Sequence, residues 1–324
     1  MTNVYSLAKK YALTIALPTL MVILLMSLSP ETRSWAAVRS LLMQGFAPAI
    51  LGWGVLFNMK VGNWDFSIGA RVILATIIAG NIAVYYSLGV LGFAVLCIAL
   101  SLLLGLIVGY AYLLLNIPTM IVSIGLLLIF ESLTRILFDG IGMRFDLSYM
   151  ILGRFPNNLI VFVACFAVAS FLYYKRKYGY NVRAVGSNPI VAQTNGIDAR
   201  KTKATAIVIS GLFAGLFSIL HTSITGVRPA VAGTMGSMGI VFDAMMCVLI
   251  GMSISGKGGS VIVAIYAGAV CTQILNMGMM AIGIPTAFSM VVIGVFVVLL
   301  MIASSRSDVI KKIGTKFRLN NHSQ

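Results

Sequence analysis

The chain has 324 residues, of which 60% are apolar and 10% charged, with a mean hydropathy of +1.01 and a formal net charge of +15. That balance excludes an ordinary water-soluble domain. The cations form no basic domain with interleaved aromatics, which excludes nucleic-acid binding and fits a membrane protein whose basic residues border anionic lipid.

A bilayer core about 30 Å thick needs roughly 20 apolar residues per spanning helix. Ten stretches meet that need: 11–29, 41–57, 66–86, 90–115, 117–138, 157–174, 204–225, 240–256, 259–282 and 285–304. Glycine-rich 226–259 has the alternative of re-entering the membrane without crossing it, which would lower the number to eight or nine. Runs such as VLGFAVLCIALSLLLGLIVGYAYLLL lack the alternation of a transmembrane β-strand. The expected fold class is therefore all-α, a polytopic transmembrane helical bundle over 1–324. Lys9 and Lys10 precede the first stretch as in a signal peptide, but no A-x-A-like cleavage site follows, so that helix is expected to stay.

Basic residues orient the chain. With Lys9 and Lys10 cytoplasmic, ten crossings put Lys60, the seven Lys and Arg of 175–203, Lys257 and the tail cations Arg306, Lys311, Lys312, Lys316 and Arg318 on the same side. The opposite loops hold Arg33, Arg39, Arg144, Arg154 and Arg228, as the positive-inside rule demands. The termini, including the basic tail 305–324, are thus expected in the cytoplasm.

In chain order, the third stretch is entered through GNWDFSIG, 62–69, where Asp65 is a helix cap or a gate element. Arg71 follows inside the helix. Gly105/Gly109 and Gly211/Gly215 have the small-xxx-small spacing that permits close helix approach. Glu131 and Arg135 stand four apart on the fifth stretch and can pair. The stretch KRKYGYNVRAVGSNPIVAQTNGIDARKTK, 175–203, is the largest soluble feature. Ser187 or Asn188 can cap a helix starting at Pro189, Asn195-Gly196 can end it, and Asp198 can cap the next one. A helix of about two turns needs support, either from the protein's own helix ends or from a soluble partner.

Further along, His221 is a packing residue or a solute contact near the outer end of its helix. Asp243 is expected near the outer end of the eighth. GMSISGKGGS, 251–260, nearly spells the phosphate-binding pattern G-x-x-x-x-G-K-[ST], but Gly258 stands where the magnesium-binding hydroxyl belongs. Cys97, Cys165, Cys247 and Cys271 lie inside apolar stretches without metal-ligand spacing, and the two histidines are far apart. No catalytic residue, metal site or cofactor is indicated.

Four segments, in order, carry a resemblance. They are GNWDFSIG (Gly62, Asp65, Ser67, Gly69), NIPTMIVSIGLLLIFESLT (Ile117, Pro118, Val122, Gly125, Phe130, Leu133), AVGSNPIVAQTNGIDARK (Gly186, Asn188, Pro189, Ala192, Gly196, Ile197) and VFDAMMCVLIGMSISGKGGS (Asp243, Ala244, Val248, Gly251, Ser253, Ser255, Gly256, Gly259, Ser260). Together they resemble the permease subunits of ribose-type ABC importers. Asn63, Trp64, Glu131, Gln193 and Phe242 depart from that family's usual residues, in segments that bear on the solute path and the ATPase contact. Asp65-Phe66-Ser67 stands where related amino-acid permeases usually have Asn-Phe, which favours sugars.

The resemblance implies a bacterial inner-membrane importer working by alternating access. It implies three partners: a separate ATP-binding subunit, a second permease that is a copy or a relative, and an extracytoplasmic solute-binding protein. The ATPase-coupling loop would hold Gly186, Asn188, Pro189, Ile190, Ala192, Gly196 and Ile197. The candidate path or gate residues are Asp65, Ser67, Gly69, Asp243, Gly251, Ser253 and Ser255. Other small solutes, an ion-coupled secondary transporter and a purely structural membrane subunit are the alternatives. IPTMIVSIG at 117 and IPTAFSMVVIG at 284 open the fifth and tenth stretches, an echo that would fit a five-plus-five inverted repeat.

Overall fold

The computed structural model describes residues 2–28, 33–255, 259–283, 288, 291–300 and 302. In chain order the helices are α1 (Thr2–Leu28), α2 (Trp35–Gln44), α3 (Phe46–Lys60), α4 (Ser67–Tyr85), α5 (Gly89–Leu115), α6 (Thr119–Ile136), α7 (Asn157–Ser170), α8 (Lys177–Ser187), α9 (Pro189–Thr194), α10 (Ala199–Thr225), α11 (Met238–Ile254) and α12 (Val261–Ala281). A further apolar helix, α13, runs Val291–Leu300. Two two-residue strands, β1 (Met143–Arg144) and β2 (Val227–Arg228), pair antiparallel with Met143 opposite Arg228.

Each of the ten apolar stretches becomes a helix among the described residues. Seven spans are long and apolar enough to cross a membrane, and Tyr11–Ser27, Met238–Ile254 and Val291–Leu300 are shorter. The protein is a polytopic helical membrane protein. The second stretch is longer than expected, Trp35–Lys60, and is divided at Gly45 into α2 and α3. The second copy of the internal echo, at 284–294, lies only partly within the described residues, and Gly256, Lys257, Gly258 and the tail lie outside them.

Two compact units divide the chain, residues 1–45 with 246–324 and residues 46–245. In the first, α1, α2, the second half of α11, α12 and α13 share a core containing Met21, Leu25, Leu41, Ile250, Cys271, Ile274, Ile293 and Val297. A Cβ at Gly251 would lie 2.6 Å from Ile265 Cα, so α11 and α12 touch backbone to backbone there.

In the second unit α10 packs against α3, α4 and α5. Trp53, Phe57 and Phe213 are fully buried, and the Phe57 and Phe213 rings stack at 6.1 Å. In lipid, burying apolar side chains gives little net drive, so close packing and polar contacts decide which helices meet. The glycine spacings supply such packing at the α5–α10 crossing. A Cβ at Gly105 would sit 3.3 Å from Gly211 Cα, one at Gly211 2.7 Å from the Ser101 carbonyl, and one at Gly215 2.9 Å from Ile98 Cα.

One end of this unit is basic. Asn63 reaches the Lys203 carbonyl at 3.0 Å, Gly186 lies against the Lys60 carbonyl, and Arg200 donates to the Leu113 carbonyl. At the other end Asn81 donates to the Gly142 carbonyl at 3.0 Å and Phe145 N–H to the Gly226 carbonyl at 2.8 Å.

Candidate functional site

The basic end is built around a buried ion pair. Asp65 precedes α4 by two residues and accepts from Ser67 N–H (3.0 Å) and Ser67 Oγ (2.6 Å), capping that helix. Its other oxygen pairs with Arg71, one turn further along α4, and accepts from Asn58 Nδ2 at 3.4 Å. Arg71 also donates to the Ile207 carbonyl and to Ser210 Oγ on α10, each at 3.2 Å, and Asn58 Nδ2 donates to Ser210 Oγ at 3.1 Å. The guanidinium fits because Gly105 and Gly211 carry no side chains: a Cβ on Gly105 would lie 3.1 Å from Arg71 Nη1.

The Arg71 and Asp65 side chains are 0% and 1% exposed. Desolvating two such charges costs several kcal/mol each, which only near-complete hydrogen bonding offsets. Asp65, Arg71, Asn58 and Ser210 thus tie α3, α4 and α10 together, and Ser67 bonds the same carboxylate. Arg71 is the residue that sequence reasoning left unassigned. Spacing gave little signal for the pair, because Asp65 and Arg71 stand six apart, outside the i,i+3 and i,i+4 rule for helix neighbours.

The expected pairing of Glu131 with Arg135 does not occur. Glu131, 1% exposed, accepts instead from the N–H groups of Met235 and Ser237, both at 2.8 Å. Arg135 donates to the carbonyls of Val231 (3.1 Å) and Gly233, and Thr134 Oγ1 accepts from Val231 N–H at 3.2 Å. Spacing allows the pair, but backbone N–H groups that would otherwise lack partners claim the carboxylate. Three residues of α6 thus clamp the non-helical run 231–237 ahead of α11.

That run also reaches Gly69, where a Cβ would collide with the Ser237 carbonyl and lie 3.1 Å from Val241 Cγ2. Ser123 Oγ accepts from Phe66 N–H at 3.2 Å, and the Phe66 and Phe242 rings meet edge to face at 6.1 Å. Parts of three signature segments, 62–69, 116–134 and the start of 241–260, therefore converge. The start of α11 lies beside the basic-end turn of α4, which corrects the expectation that Asp243 sits at the opposite end. The non-helical chain after β2 carries it there. Asp243 and Phe242 are exposed on this first stretch of α11.

Gly251, Ser253 and Ser255 belong to the other unit. Gly251 makes the α11–α12 contact, Ser253 Oγ donates to the Leu249 carbonyl at 2.8 Å, and Ser255 N–H donates to the Gly251 carbonyl at 3.0 Å. Gly251–Ile254 is helical, whereas a phosphate-binding loop follows a strand.

The segment expected to hold one short helix contains two. α8 buries Val182 and Val185, and Gly179 lies against the Leu172 and Tyr173 carbonyls. α9 follows as expected: Asn188 caps it by accepting from Ile190 and Val191 N–H at 3.0 and 3.2 Å, with Pro189 first. Gly196 at φ +77° ends it, and Ile197 N–H closes on the Ala192 carbonyl at 3.0 Å. Asp198 then caps α10. Ala192 is buried, whereas Ile190 and Val191 are 72% and 54% exposed. An apolar pair thus projects from the basic end.

His221 packs at the end opposite the basic one. Its Nδ1 lies 2.8 Å from Arg228 Nη2, and its ring 5.0 Å from that of Phe217. The four cysteines are buried and none forms a disulfide, and among the described residues no group of His, Cys, Asp and Glu is arranged to hold a metal.

Residues 37–301 match a family model described as the permease component of a branched-chain amino acid transport system. The chain is 24% identical over 293 residues to the galactose/methyl galactoside import permease protein MglC of Escherichia coli (strain K12), covering 83% of this chain and 86% of that one. It is 22% identical over 292 residues to the ribose import permease protein RbsC of the same organism, covering 87% and 89%. To the D-allose transport system permease protein AlsC it is 24% identical over 280 residues, covering 83% of each chain. No solved structure matches significantly.

Proposed function

The chain belongs to the family of permease components of branched-chain amino acid transport systems, and from that footing we propose that it is the membrane subunit of an ATP-driven bacterial importer for a sugar or sugar-like solute. It works in the inner membrane with both termini cytoplasmic. An extracytoplasmic binding protein delivers the solute, a second permease completes the pathway, and a separate ATPase subunit drives alternating access. The sugar class is favoured by relatives named for galactose, ribose and allose import.

The observation that carries this reading is α9, a rigidly capped helix of six residues displaying Ile190 and Val191 at the basic end. Exposed apolar side chains on a helix too short to stand alone suit a protein partner on the cytoplasmic side. Ile190→Asp puts a charge into that contact, which is costly once the contact is desolvated. Gly196→Val forces a β-branched residue toward φ +77° and misdirects the exit from α9. Both variants are expected to insert and stay monodisperse in detergent while losing ATPase pull-down and transport-stimulated hydrolysis. Normal association and transport in both would remove α9 from the coupling. Uptake by the chain alone in liposomes under a proton or sodium gradient would instead favour an ion-coupled secondary transporter.

A further inference from the structure

The run between β2 and α11 is non-helical backbone that lies alongside the helices of the larger unit. Ser123, which meets Phe66, marks the start of α4. Glu131 lies about 12 Å and Thr134 about 16 Å further along α6 at 1.5 Å per residue. Val231 is held at Thr134, Met235 and Ser237 at Glu131, and Ser237 against Gly69. The run therefore descends alongside α6 and starts α11 inside the bundle.

Its outer surface is open. Ala232, Gly233, Thr234, Met235 and Gly236 are all exposed between buried Val231 and Ser237. Within the run, the clamp uses Val231 N–H and carbonyl, the Gly233 carbonyl, and Met235 and Ser237 N–H. The N–H groups of Ala232, Gly233, Thr234 and Gly236 and the Thr234 hydroxyl have no partner among the described residues. Hydrocarbon does not tolerate unpaired backbone groups. Irregular chain at membrane depth is found only buried in protein or lining a water-filled cavity.

We infer that Ala232–Gly236 lines the aqueous solute path and presents main-chain donors and the Thr234 hydroxyl to a polyhydroxylated solute. The inference rests on the importer reading and supplies its solute-facing surface. Neutral N–H, C=O and O–H groups suit uncharged hydroxyl-rich molecules, since each can exchange a water hydrogen bond for a solute hydroxyl.

The test is thiol accessibility in native membranes containing the full chain and its partners. Ala232→Cys and Thr234→Cys are treated with the membrane-impermeant reagent 2-(trimethylammonium)ethyl methanethiosulfonate. The control is Leu106→Cys, an exposed site on apolar α5 about 13 Å from that helix's basic end. The four native cysteines are buried, which keeps the background low. Reaction at either test site is expected to be more than about tenfold faster than at the control, because only a hydrated thiol ionises and reacts.

Rates equal to the control would overturn the inference. So would reaction appearing only after detergent separates the subunits, which would mark a permease–permease interface, or failure of both variants to assemble, which would mark packed positions. The readout requires neither a known solute nor ATP hydrolysis, so it can fail while the importer reading stands, and the reverse.

Discussion

Replacing Asp65 with Ala tests whether the Asp65–Arg71 pair holds the larger unit together. The substitution removes the counter-charge of Arg71, whose side chain is 0% exposed, and three accepted hydrogen bonds, from Ser67 N–H at 3.0 Å, Ser67 Oγ at 2.6 Å and Asn58 Nδ2 at 3.4 Å. Stranding one partner of a buried pair costs about 3–5 kcal/mol. At about 1.4 kcal/mol per factor of ten, that is a loss of two to three and a half powers of ten in the folding equilibrium. Removing both charges with Asp65→Ala/Arg71→Met leaves no stranded ion, so the double variant is expected to be more stable than Asp65→Ala alone. The assay is reversible unfolding in mixed micelles of rising dodecyl sulfate content, followed by tryptophan fluorescence, for wild type, both single variants and the double. A loss below about 1 kcal/mol for Asp65→Ala, or a double variant whose loss equals the sum of the two singles, would refute the reasoning.

Gly211→Ala places a methyl 2.7 Å from the Ser101 carbonyl, and overpacking of this kind costs about 1–3 kcal/mol. Gly125→Ala meets nothing within 4 Å and is expected to gain about 0.5–1 kcal/mol from helix propensity; the same unfolding assay checks both, and equal effects would count against the crossing. For topology, Ser187→Cys is expected to resist impermeant thiol reagents in intact cells while Asp146→Cys reacts. External labelling at Ser187 would invert the orientation. The purified chain is expected to show no saturable binding of a fluorescent ATP analogue, since Gly251–Ile254 is helical and Gly258 supplies no hydroxyl; Lys257→Ala should leave the nucleotide affinity of the assembled transporter unchanged.

Features written in short-range chemistry were legible from the sequence alone. Apolar length identifies the spanning helices because the thickness of hydrocarbon sets it. The caps at Asn188 and Asp198 and the turn at Gly196 are local hydrogen bonds and one backbone angle, so the segment 187–198 was readable residue by residue. The glycine spacings permitted a close crossing without requiring one, and α5 and α10 make it. α8 was missed because its apolar face holds little beyond Val182 and Val185 within a cationic stretch, and packing rather than periodicity stabilises it.

The partners of the buried polar groups needed the tertiary structure. Arg71 finds Asp65 nearby, but Ser210 and the Ile207 carbonyl come from a helix distant in sequence. Glu131 and Arg135 have the spacing of a helical pair, yet each binds the backbone of 231–237, which only folding brings to α6. The same descent places Asp243 near the basic end of α4, where counting crossings put it at the other. A hydropathy pattern records where chain can enter lipid, whereas the depth at which a non-helical run stops depends on donors and acceptors from other helices that satisfy its backbone.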